Sequence, residues 1–500
     1  MGNKDFYPPY EKRDLPQPPS WRRALGVGII VVGLAIGTGE LILWPHLIAK
    51  FGLGLLWLAL IGITFQYFIN QEVARHTLAT GESIFTSTGR IWLWLPLFWL
   101  LSTAILYIWP AWAGALGTIL AELFGFGNYL IWAWISLALV LVITFSGKRA
   151  YKVLETSLKI IVPVFFLLLL FFSFLNLKIY HFKEIFLGLI NFGWIPKDID
   201  IKVLLGAIVF AGAGGMLNLC VSLWYRDKGL GMAKYAGHIT NPITGKAEAV
   251  DPKGYIFEIT PENLKKWQKW MKYVFIDQGV IFWFLGLITL ILLSANAYAV
   301  LSPMGLVPEG LKIATLQALI FQEKWGIIGS KLFLFMAFLV LFSTMWTIID
   351  VASRIISDIV YTHSQINPAQ KYLSKIRTSF SANWRVRRTL FLPASVFALQ
   401  KFWRVKIKNL SIHHLYYGLI VAFVAISAVL LPFKEPFVFI ITTSVLGGFV
   451  MAIYIPILIY LNNFKLAKPL RPGFITNLVM VSASLFYLYF VVRILISYIS

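Results

Sequence analysis

The sequence has very few of the residues on which disulfide-stabilised and catalytic proteins depend. Cys220 is the only cysteine among 500 residues, which excludes an intramolecular disulfide and a cysteine-cluster metal site. The chain has no nucleotide-binding loop, no paired catalytic carboxylates and no cluster of histidine and cysteine. We therefore expect neither a hydrolytic nor a redox enzyme, and any work that the protein performs must draw on a gradient rather than on ATP.

Charged residues are also scarce, and apolar residues dominate. Only 13% of the residues are charged and 59% are hydrophobic, whereas about a quarter of an average soluble domain is charged. This balance predicts an all-α membrane protein that crosses the bilayer repeatedly. Residues 1–20 are polar and proline-rich, so we expect no cleavable signal peptide. Hydropathy indicates about 11 transmembrane helices, over residues 22–48, 51–74, 91–119, 128–146, 153–177, 203–225, 272–296, 327–358, 415–432, 436–462 and 475–497.

Acidic residues are half as numerous as basic ones, 22 against 44. Residues 361–414 contain ten basic and no acidic residues, and residues 226–272 contain nine basic and five acidic residues. Basic loops favour the cytoplasmic side, so we expect residues 1–20 in the cytoplasm, the C-terminus outside and the protein in the plasma membrane. We expect these loops to contact anionic lipids and not nucleic acid. Four tryptophans among the basic residues are expected to anchor at the interface: Trp267, Trp270, Trp384 and Trp403.

The first apolar run is interrupted by Gly37-Thr38-Gly39-Glu40. Each glycine costs a helix about 1 kcal/mol relative to alanine, and an acid near the membrane centre costs about 2.5–3.5 kcal/mol on insertion scales. A lipid-facing helix gains nothing from either, whereas irregular backbone and charge are tolerated where they line a polar cavity. The pattern therefore predicts a broken first span that lines such a cavity.

A second break, Ala211-Gly212-Ala213-Gly214-Gly215-Met216-Leu217-Asn218, interrupts the sixth run. The two breaks lie five spans apart, so the first and sixth spans cross the membrane in opposite directions. Matched glycine-interrupted segments in two inverted halves indicate a transporter binding site. The alternative is that the glycines only permit close helix packing. The chain divides accordingly into two repeats, an outer connector and a last span: residues 21–178, 202–463, 179–201 and 464–500.

The residues that we predict to bind substrate lie in the two breaks: Gly37, Thr38, Gly39, Glu40, Ala213, Met216 and Asn218. The Glu40 carboxylate and freed backbone carbonyls together form an oxygen-rich cation site. Alternatively, Glu40 caps the N–H groups of the second half-helix. The Met216 thioether suits softer transition metals, although methionine also fills irregular gaps in a core.

Ionisable groups near the end of the second span are candidates for gating or coupling. Glu72 and His76 share a helix face at a spacing of four residues, and Arg75 lies three residues after Glu72. They form a proton relay, an inner gate or an ordinary ion pair at a helix end. Asn462, at the end of the tenth span, is expected to reach toward the interface.

A second candidate gate ends the eighth span. Asp350, Arg354 and Asp358 fall four residues apart and form one stripe. Intramembrane ionisable groups face the bundle interior and pair with one another. Asp350 and Arg354 therefore form either a gate or a stable pair at the cytoplasmic mouth of the bundle. The hydroxyls one to two turns earlier either line a pathway or bond back to their own helix: Ser343, Thr344 and Thr347.

The second span and its surroundings resemble the Nramp family of proton-coupled divalent metal transporters. The resemblance rests on Phe51-Gly52, Leu55-Leu56-Trp57, Gln66-Tyr67, Ala79-Thr80-Gly81 and Leu123-Phe124-Gly125. It covers residues 24–463 and implies the 5+5 inverted repeat first seen in the leucine transporter, with broken first and sixth helices.

The chain departs from the family at the metal site. The family's Asp-Pro-Gly-Asn reads Gly37-Thr38-Gly39-Glu40 here, and its Ala-x-x-Met-Pro-His reads Ala213-Gly214-Gly215-Met216-Leu217-Asn218. The proton-carrying acids of the family's third span fall near Trp109 and Trp112. The resemblance therefore implies a divergent, Nramp-related branch with Glu40 and Met216 as metal ligands.

Three functions remain open at this point. The leading hypothesis is a monomeric secondary transporter that moves a divalent metal ion by alternating access and needs no resident cofactor. The second keeps the fold and replaces the metal by a small organic solute, an amine or an amino acid. The third, a non-transporting sensor or scaffold, leaves the two symmetric breaks unexplained.

Overall fold

The computed structural model describes residues 7–37, 39–245, 250–251, 253–307, 313–366, 411–433 and 436–497. Within them, ten helices are long and apolar enough to cross a membrane. The predicted sixth span is not among these ten, because its break divides it into two short helices, Ile201–Val209 and Met216–Lys228. With it the bundle has eleven spans, and the prediction of an all-α membrane protein of about that many helices is confirmed.

The spans are numbered in chain order. Their helices are span 1, Val27–Ala35, Gly39–Leu43 and Trp44–Phe51; span 2, Leu56–Thr80; span 3, Leu95–Tyr107 and Ala111–Phe124; span 4, Tyr129–Ser146; span 5, Ala150–Asn176; span 6, Ile201–Val209 and Met216–Lys228; span 7, Pro261–Ile276, Asp277–Phe284 and Leu285–Leu301; span 8, within Ile313–Ile366; span 9, Ile412–Leu430; span 10, Pro436–Tyr460 and Leu461–Lys465; and span 11, Phe474–Ile496. Shorter helices are Trp21–Ala24, Leu53–Leu55, Ile84–Gly89, Ile179–Ile190, Gly231–Tyr235, Leu431–Phe433 and Lys468–Leu470, and two strands cover Glu11–Lys12 and Tyr255–Ile256.

Span 1 lies at the centre of the bundle. Its apolar window is 94% buried inside the protein, whereas the window of span 4 is only 28% buried. Spans 5 and 11, each 33% buried, likewise lie at the periphery. An apolar helix that the protein itself surrounds belongs to the interior of the bundle, while the peripheral helices present apolar side chains to lipid.

The segment before span 1 is packed against the bundle. Glu11–Lys12 pairs in parallel with Tyr255–Ile256, and the Tyr10 hydroxyl donates to Glu82 at 3.1 Å. Burial raises the pKa of Tyr10, and the Glu82 carboxylate raises it further, so the phenol remains a neutral donor. We call the end of the bundle formed by residues 7–20 and the ends of spans 6 and 8 the tail face.

The predicted interfacial tryptophans of the 226–272 segment are buried instead. Span 7 already begins at Pro261, and Trp267 and Trp270 are only 4% and 2% exposed. The Trp270 indole N–H donates to the Pro16 carbonyl at 2.9 Å. The interfacial prediction was therefore wrong for these two residues, because residues 7–20 cover them. Trp384, Trp403 and most of the basic 361–414 segment lie outside the described residues.

Two glycines of the first break permit close contact with its neighbours. A Cβ atom on Gly39 would lie 1.9 Å from the Phe210 carbonyl oxygen of span 6. A Cβ atom on Gly37 would lie 2.3 Å from the Thr344 hydroxyl of span 8. Both glycines therefore permit close packing, and the contact of Gly39 with Phe210 brings the two breaks together.

We expect Gly39→Ala to destabilise the protein strongly, because the added methyl group meets backbone that cannot rotate away. Gly418→Ala is the matched control, since a Cβ atom there has no atom within 4 Å and alanine favours a helix. Thermal unfolding in detergent measures both. A Gly39→Ala protein as stable as the Gly418→Ala protein would contradict the close contact of the breaks.

Candidate functional site

The two broken spans meet at their breaks. The first half of span 6 ends at Val209, and the chain passes through Gly215, whose φ of 73° favours glycine, into the Met216–Lys228 helix. Gly39 lies against the carbonyl of Phe210, the first residue after this half-helix. The structure thus brings Gly39, and with it the neighbouring Glu40, to the start of the second break. Gly37 lies against Thr344 of span 8, and Thr38 lies outside the described residues.

Glu40 is the one predicted site residue whose charged atoms have no partner in the described structure. It lies in the Gly39–Leu43 turn and is fully buried. Neither carboxylate oxygen has a hydrogen-bond partner among the described residues, so Glu40 does not cap the following half-helix. An unpaired carboxylate away from water is costly, and a bound cation would remove that cost.

The carbonyls freed at the end of the first half of span 1 contact hydroxyls of span 8. Ser343 Oγ lies 2.8 Å from the Gly33 carbonyl. Thr344 Oγ1 lies 3.3 Å from the carbonyls of both Leu34 and Ile36. Thr347 bonds back to its own helix, to the Ser343 carbonyl at 2.7 Å. The Ser343 and Thr344 hydroxyls therefore contact the break of span 1, and the Thr347 hydroxyl does not.

Polar side chains of spans 2 and 3 satisfy the second break. The Gln66 amide donates to the Val209 carbonyl at 3.0 Å. The N–H groups of Met216 and Leu217 donate to the Tyr107 hydroxyl. Our sequence analysis assigned no role to Gln66 or Tyr107. Two sequence features could have indicated these roles. Gln66 is an amide within an apolar span, and Tyr107 lies three residues before Pro110, which divides span 3.

Asn218 is held by two neighbouring spans. Its amide N–H donates to Asn70 Oδ1 at 2.8 Å, and its carbonyl oxygen accepts from the Tyr454 hydroxyl at 2.9 Å. Asn70 Nδ2 and Gln66 Oε1 are buried without a partner in the described part of the chain. The region therefore offers one amide donor and one amide acceptor close to the second break.

The described residues contain no group of three or more histidine, cysteine, aspartate or glutamate side chains that could hold a metal ion. Met216 and Ala213 are both fully buried in the second break. A cation bound here would therefore rely on the Glu40 carboxylate, backbone carbonyls and amide oxygens, with Met216 as an added soft ligand.

A buried network of charged side chains lies at the tail face. Arg354 donates to both carboxylate oxygens of Asp350, at 3.0 and 2.6 Å, and also to Asp227. Asp358 lies four residues after Arg354 on the same helix, as the spacing had predicted, and pairs with Arg226 of span 6. Because both arginines reach from one span to another, the network joins spans 6 and 8.

The span 2 candidates form a second network. Arg75 pairs with Glu72 at 2.8 Å, and the Asn462 amide donates to Glu72 Oε2 at 2.7 Å. Asn462 also contacts His76 Nδ1 at 3.0 Å, and His76 Nε2 contacts Ser87 at 2.8 Å. Asn462 is 1% exposed, so the prediction that it reaches toward the interface was wrong. It instead connects span 10 to the ionisable end of span 2.

Comparison with known proteins identifies the fold. The chain is similar to an Eremococcus coleocola manganese transporter in complex with an aromatic bis-isothiourea substituted compound, at 12% identity and a TM-score of 0.55, over 98% of this chain and 90% of that one. MhsT in complex with L-phenylalanine has 15% identity and a TM-score of 0.49, over 94% and 98%. Mhp1, a nucleobase-cation-symport-1 family transporter, has 14% identity and a TM-score of 0.47, over 95% and 94%. No family model and no curated protein matches the chain.

The protein is an integral membrane protein with the leucine-transporter fold, which secondary transporters share. The predicted inverted repeat with broken first and sixth helices is confirmed at the level of the fold. A similarity at 12% identity shows the fold alone, so membership of a divergent Nramp branch stays a prediction.

We expect Arg354→Met to destabilise the protein by about 3–5 kcal/mol, because it leaves two buried carboxylates without their partner. Lys12→Met is the control, since Lys12 and Glu258 form an exposed pair at 3.2 Å and such pairs contribute little. Unfolding by denaturant in detergent compares the two variants. Similar losses in both would contradict a structural role for the Arg354 network.

Proposed function

We propose that the protein is a secondary active transporter that moves a cationic substrate by alternating access, bound between the breaks of spans 1 and 6. The observation that carries this proposal is the buried Glu40 carboxylate beside the contact of Gly39 with Phe210, with no partner among the described residues. A single buried negative charge in an otherwise neutral centre selects a cation, because a cation removes the cost of the unpaired acid.

A divalent metal ion is the first candidate substrate. The resemblance to the Nramp family supports it, as does the manganese transporter with a similar fold. In this proposal Glu40 returns the negative charge that the family's aspartate supplies, and Met216 and the freed carbonyls complete the coordination. Gly37, Thr38, Gly39, Ala213 and Asn218 shape the site.

An organic amine is the second candidate. The absence of a group of three potential metal ligands in the described chain favours it, because one carboxylate suffices to pair with an ammonium group. Buried aromatic side chains near the breaks offer faces for an organic cation. Trp44 lies beside span 6, because its indole N–H donates to the Ala207 carbonyl at 2.9 Å.

The charge networks act as gates in this proposal. Arg354 and Asp350 hold the tail face closed, and Glu72, Arg75 and His76 connect that closure to span 10. The excess of basic residues in the 226–272 and 361–414 segments orients the tail face toward the cytoplasm. The protein would then work as a monomer in the plasma membrane, with these segments near anionic lipids.

Ligand-dependent thermal stability of the purified protein tests the substrate class. A ligand at a hundred times its Kd stabilises the folded state by about 2.7 kcal/mol. We expect saturable stabilisation by Mn²⁺, and its loss in Glu40→Gln, which keeps the shape of the side chain and removes the charge. Glu262→Gln is the control, because the Glu262 side chain is exposed and forms a surface pair with Lys266 at 2.8 Å.

The outcomes separate the candidates. Stabilisation by small organic amines but not by Mn²⁺ would select the second candidate, with the same dependence on Glu40. Transport of either substrate into proteoliposomes by Glu40→Gln at the rate of the unchanged protein would refute the assignment of the site.

A further inference from the structure

The amide oxygen of Gln66 lies at the second break without a partner. The Gln66 Nε2 group donates to the Val209 carbonyl at 3.0 Å and lies 3.4 Å from the Ile208 carbonyl. Because two carbonyls hold the nitrogen, the oxygen faces away from them. A Cβ atom on Gly212 would lie 2.6 Å from this oxygen. The Tyr487 hydroxyl of span 11 approaches the same amide without bonding to it. Gln66 is fully buried, so its oxygen is an unsatisfied acceptor within the described structure.

Gln66 and Glu40 flank the same contact between the two breaks. Gly39 packs against the Phe210 carbonyl, and Gln66 binds the carbonyl of Val209, the residue before. Glu40 directly follows Gly39, and neither of its carboxylate oxygens has a partner in the described part of the chain. When Glu40 is ionised, the two side chains therefore offer three acceptor oxygens and no donor to whatever binds there.

One turn further along span 2, the unsatisfied atom has the opposite polarity. Asn70 Oδ1 accepts from the Asn218 amide at 2.8 Å. The two protons of Asn70 Nδ2 have no acceptor among the described residues, and Asn70 is fully buried. Asn70 lies four residues after Gln66, which corresponds to about 6 Å along the helix and to the same helix face. A free acceptor and a free donor therefore follow one another along span 2.

These groups fit an organic ammonium ion better than a metal ion. A primary ammonium group has three N–H donors, one for each acceptor oxygen of Glu40 and Gln66. A metal ion also binds such oxygens, but it leaves the buried Asn70 donor unsatisfied, which is costly. An oxygen atom on an organic ligand accepts from Asn70 instead. The fully buried Phe282 ring provides an apolar contact for its carbon chain, since a Cβ atom on Gly212 would lie 3.1 Å from Phe282 Cζ.

We propose that the substrate is an organic ammonium ion with an acceptor oxygen a few bonds from its nitrogen, as in an amino ether, an amino alcohol or an amino amide. Its ammonium group binds Glu40 and Gln66, and its oxygen accepts from Asn70. Gln66 and Asn70 are then substrate-binding residues that set the specificity of the site. This inference rests on the proposed function and deepens its second candidate.

Thermal unfolding of the full-length purified protein with two amines of the same shape tests the specificity. In 2-methoxyethylamine an ether oxygen replaces one methylene group of n-butylamine, and both amines carry an ammonium group. We expect the apparent Kd of the ether amine to be at least tenfold lower. Asn70→Asp keeps the oxygen that accepts from Asn218 and replaces the free donor by an acceptor. It should abolish or reverse the preference for the ether amine, while n-butylamine still stabilises the protein.

Asn191→Asp is the matched control, because it makes the same change in an exposed residue whose amide donates to the Gly54 carbonyl at 3.3 Å. It should keep the preference for the ether amine. If Asn70→Asp does not fold, the ratio of the two affinities in the unchanged protein decides alone.

The outcomes separate this inference from the proposed function. Equal affinities for the two amines, or an unchanged preference in Asn70→Asp, would overturn the inference. Stabilisation by Mn²⁺ and by neither amine would also overturn it and would leave the cation site at Glu40 intact. Binding of both amines that is unchanged in Glu40→Gln would instead refute the site on which the proposed function rests.

Discussion

The structure depends on a backbone-to-backbone contact between two interrupted helices in the interior of the bundle. Gly39 lies so close to the Phe210 carbonyl that a single methyl group would collide with it. Interrupting two helices leaves carbonyl and N–H groups away from water, and each would cost several kcal/mol if it stayed unpaired. Side chains of spans 2, 3 and 8 provide the missing hydrogen-bond partners. These three spans therefore pack where the freed backbone groups of spans 1 and 6 can reach them.

These partners are almost all neutral. The Ser343 and Thr344 hydroxyls, the Gln66 amide and the Tyr107 phenol satisfy the two breaks without adding charge. Glu40 therefore stands out as an acid whose two oxygens have no hydrogen-bond partner among the described residues. The acids at the tail face differ from Glu40 because each has a partner: Asp350, Asp227 and Asp358 each pair with an arginine. Among the described residues, an acid without a partner therefore lies in the centre of the bundle, and paired charges lie at the tail face.

The spans and their two breaks could be predicted from the sequence because hydropathy and glycine are local signals. The Gly37–Glu40 and Ala211–Asn218 segments are visible as interruptions of apolar runs, and the structure has helix ends at both. The partners of those segments could not be predicted in the same way. Which face Gln66 or Ser343 presents depends on how each helix is rotated against helices more than a hundred residues away.

The same reason explains the errors at the tail face. Trp270 and Asn462 look like interfacial residues from their positions near the ends of apolar runs. Trp270 is buried because the Pro16 region of the chain crosses it, and Asn462 because it reaches Glu72 of span 2. Both contacts join segments far apart in sequence, and composition carries no signal for such contacts. For residues near the ends of the spans, the sequence therefore predicts the position along the helix. It does not predict whether the side chain is buried.

The most direct test of the central claim is a structure of the protein with its stabilising ligand, whether Mn²⁺ or an organic amine. Comparison with the same protein prepared without ligand would then locate the bound substrate. The account predicts new density between the two breaks, within coordination or hydrogen-bonding distance of the Glu40 carboxylate. Density for the ligand elsewhere in the bundle, with Glu40 still without a partner, would contradict it.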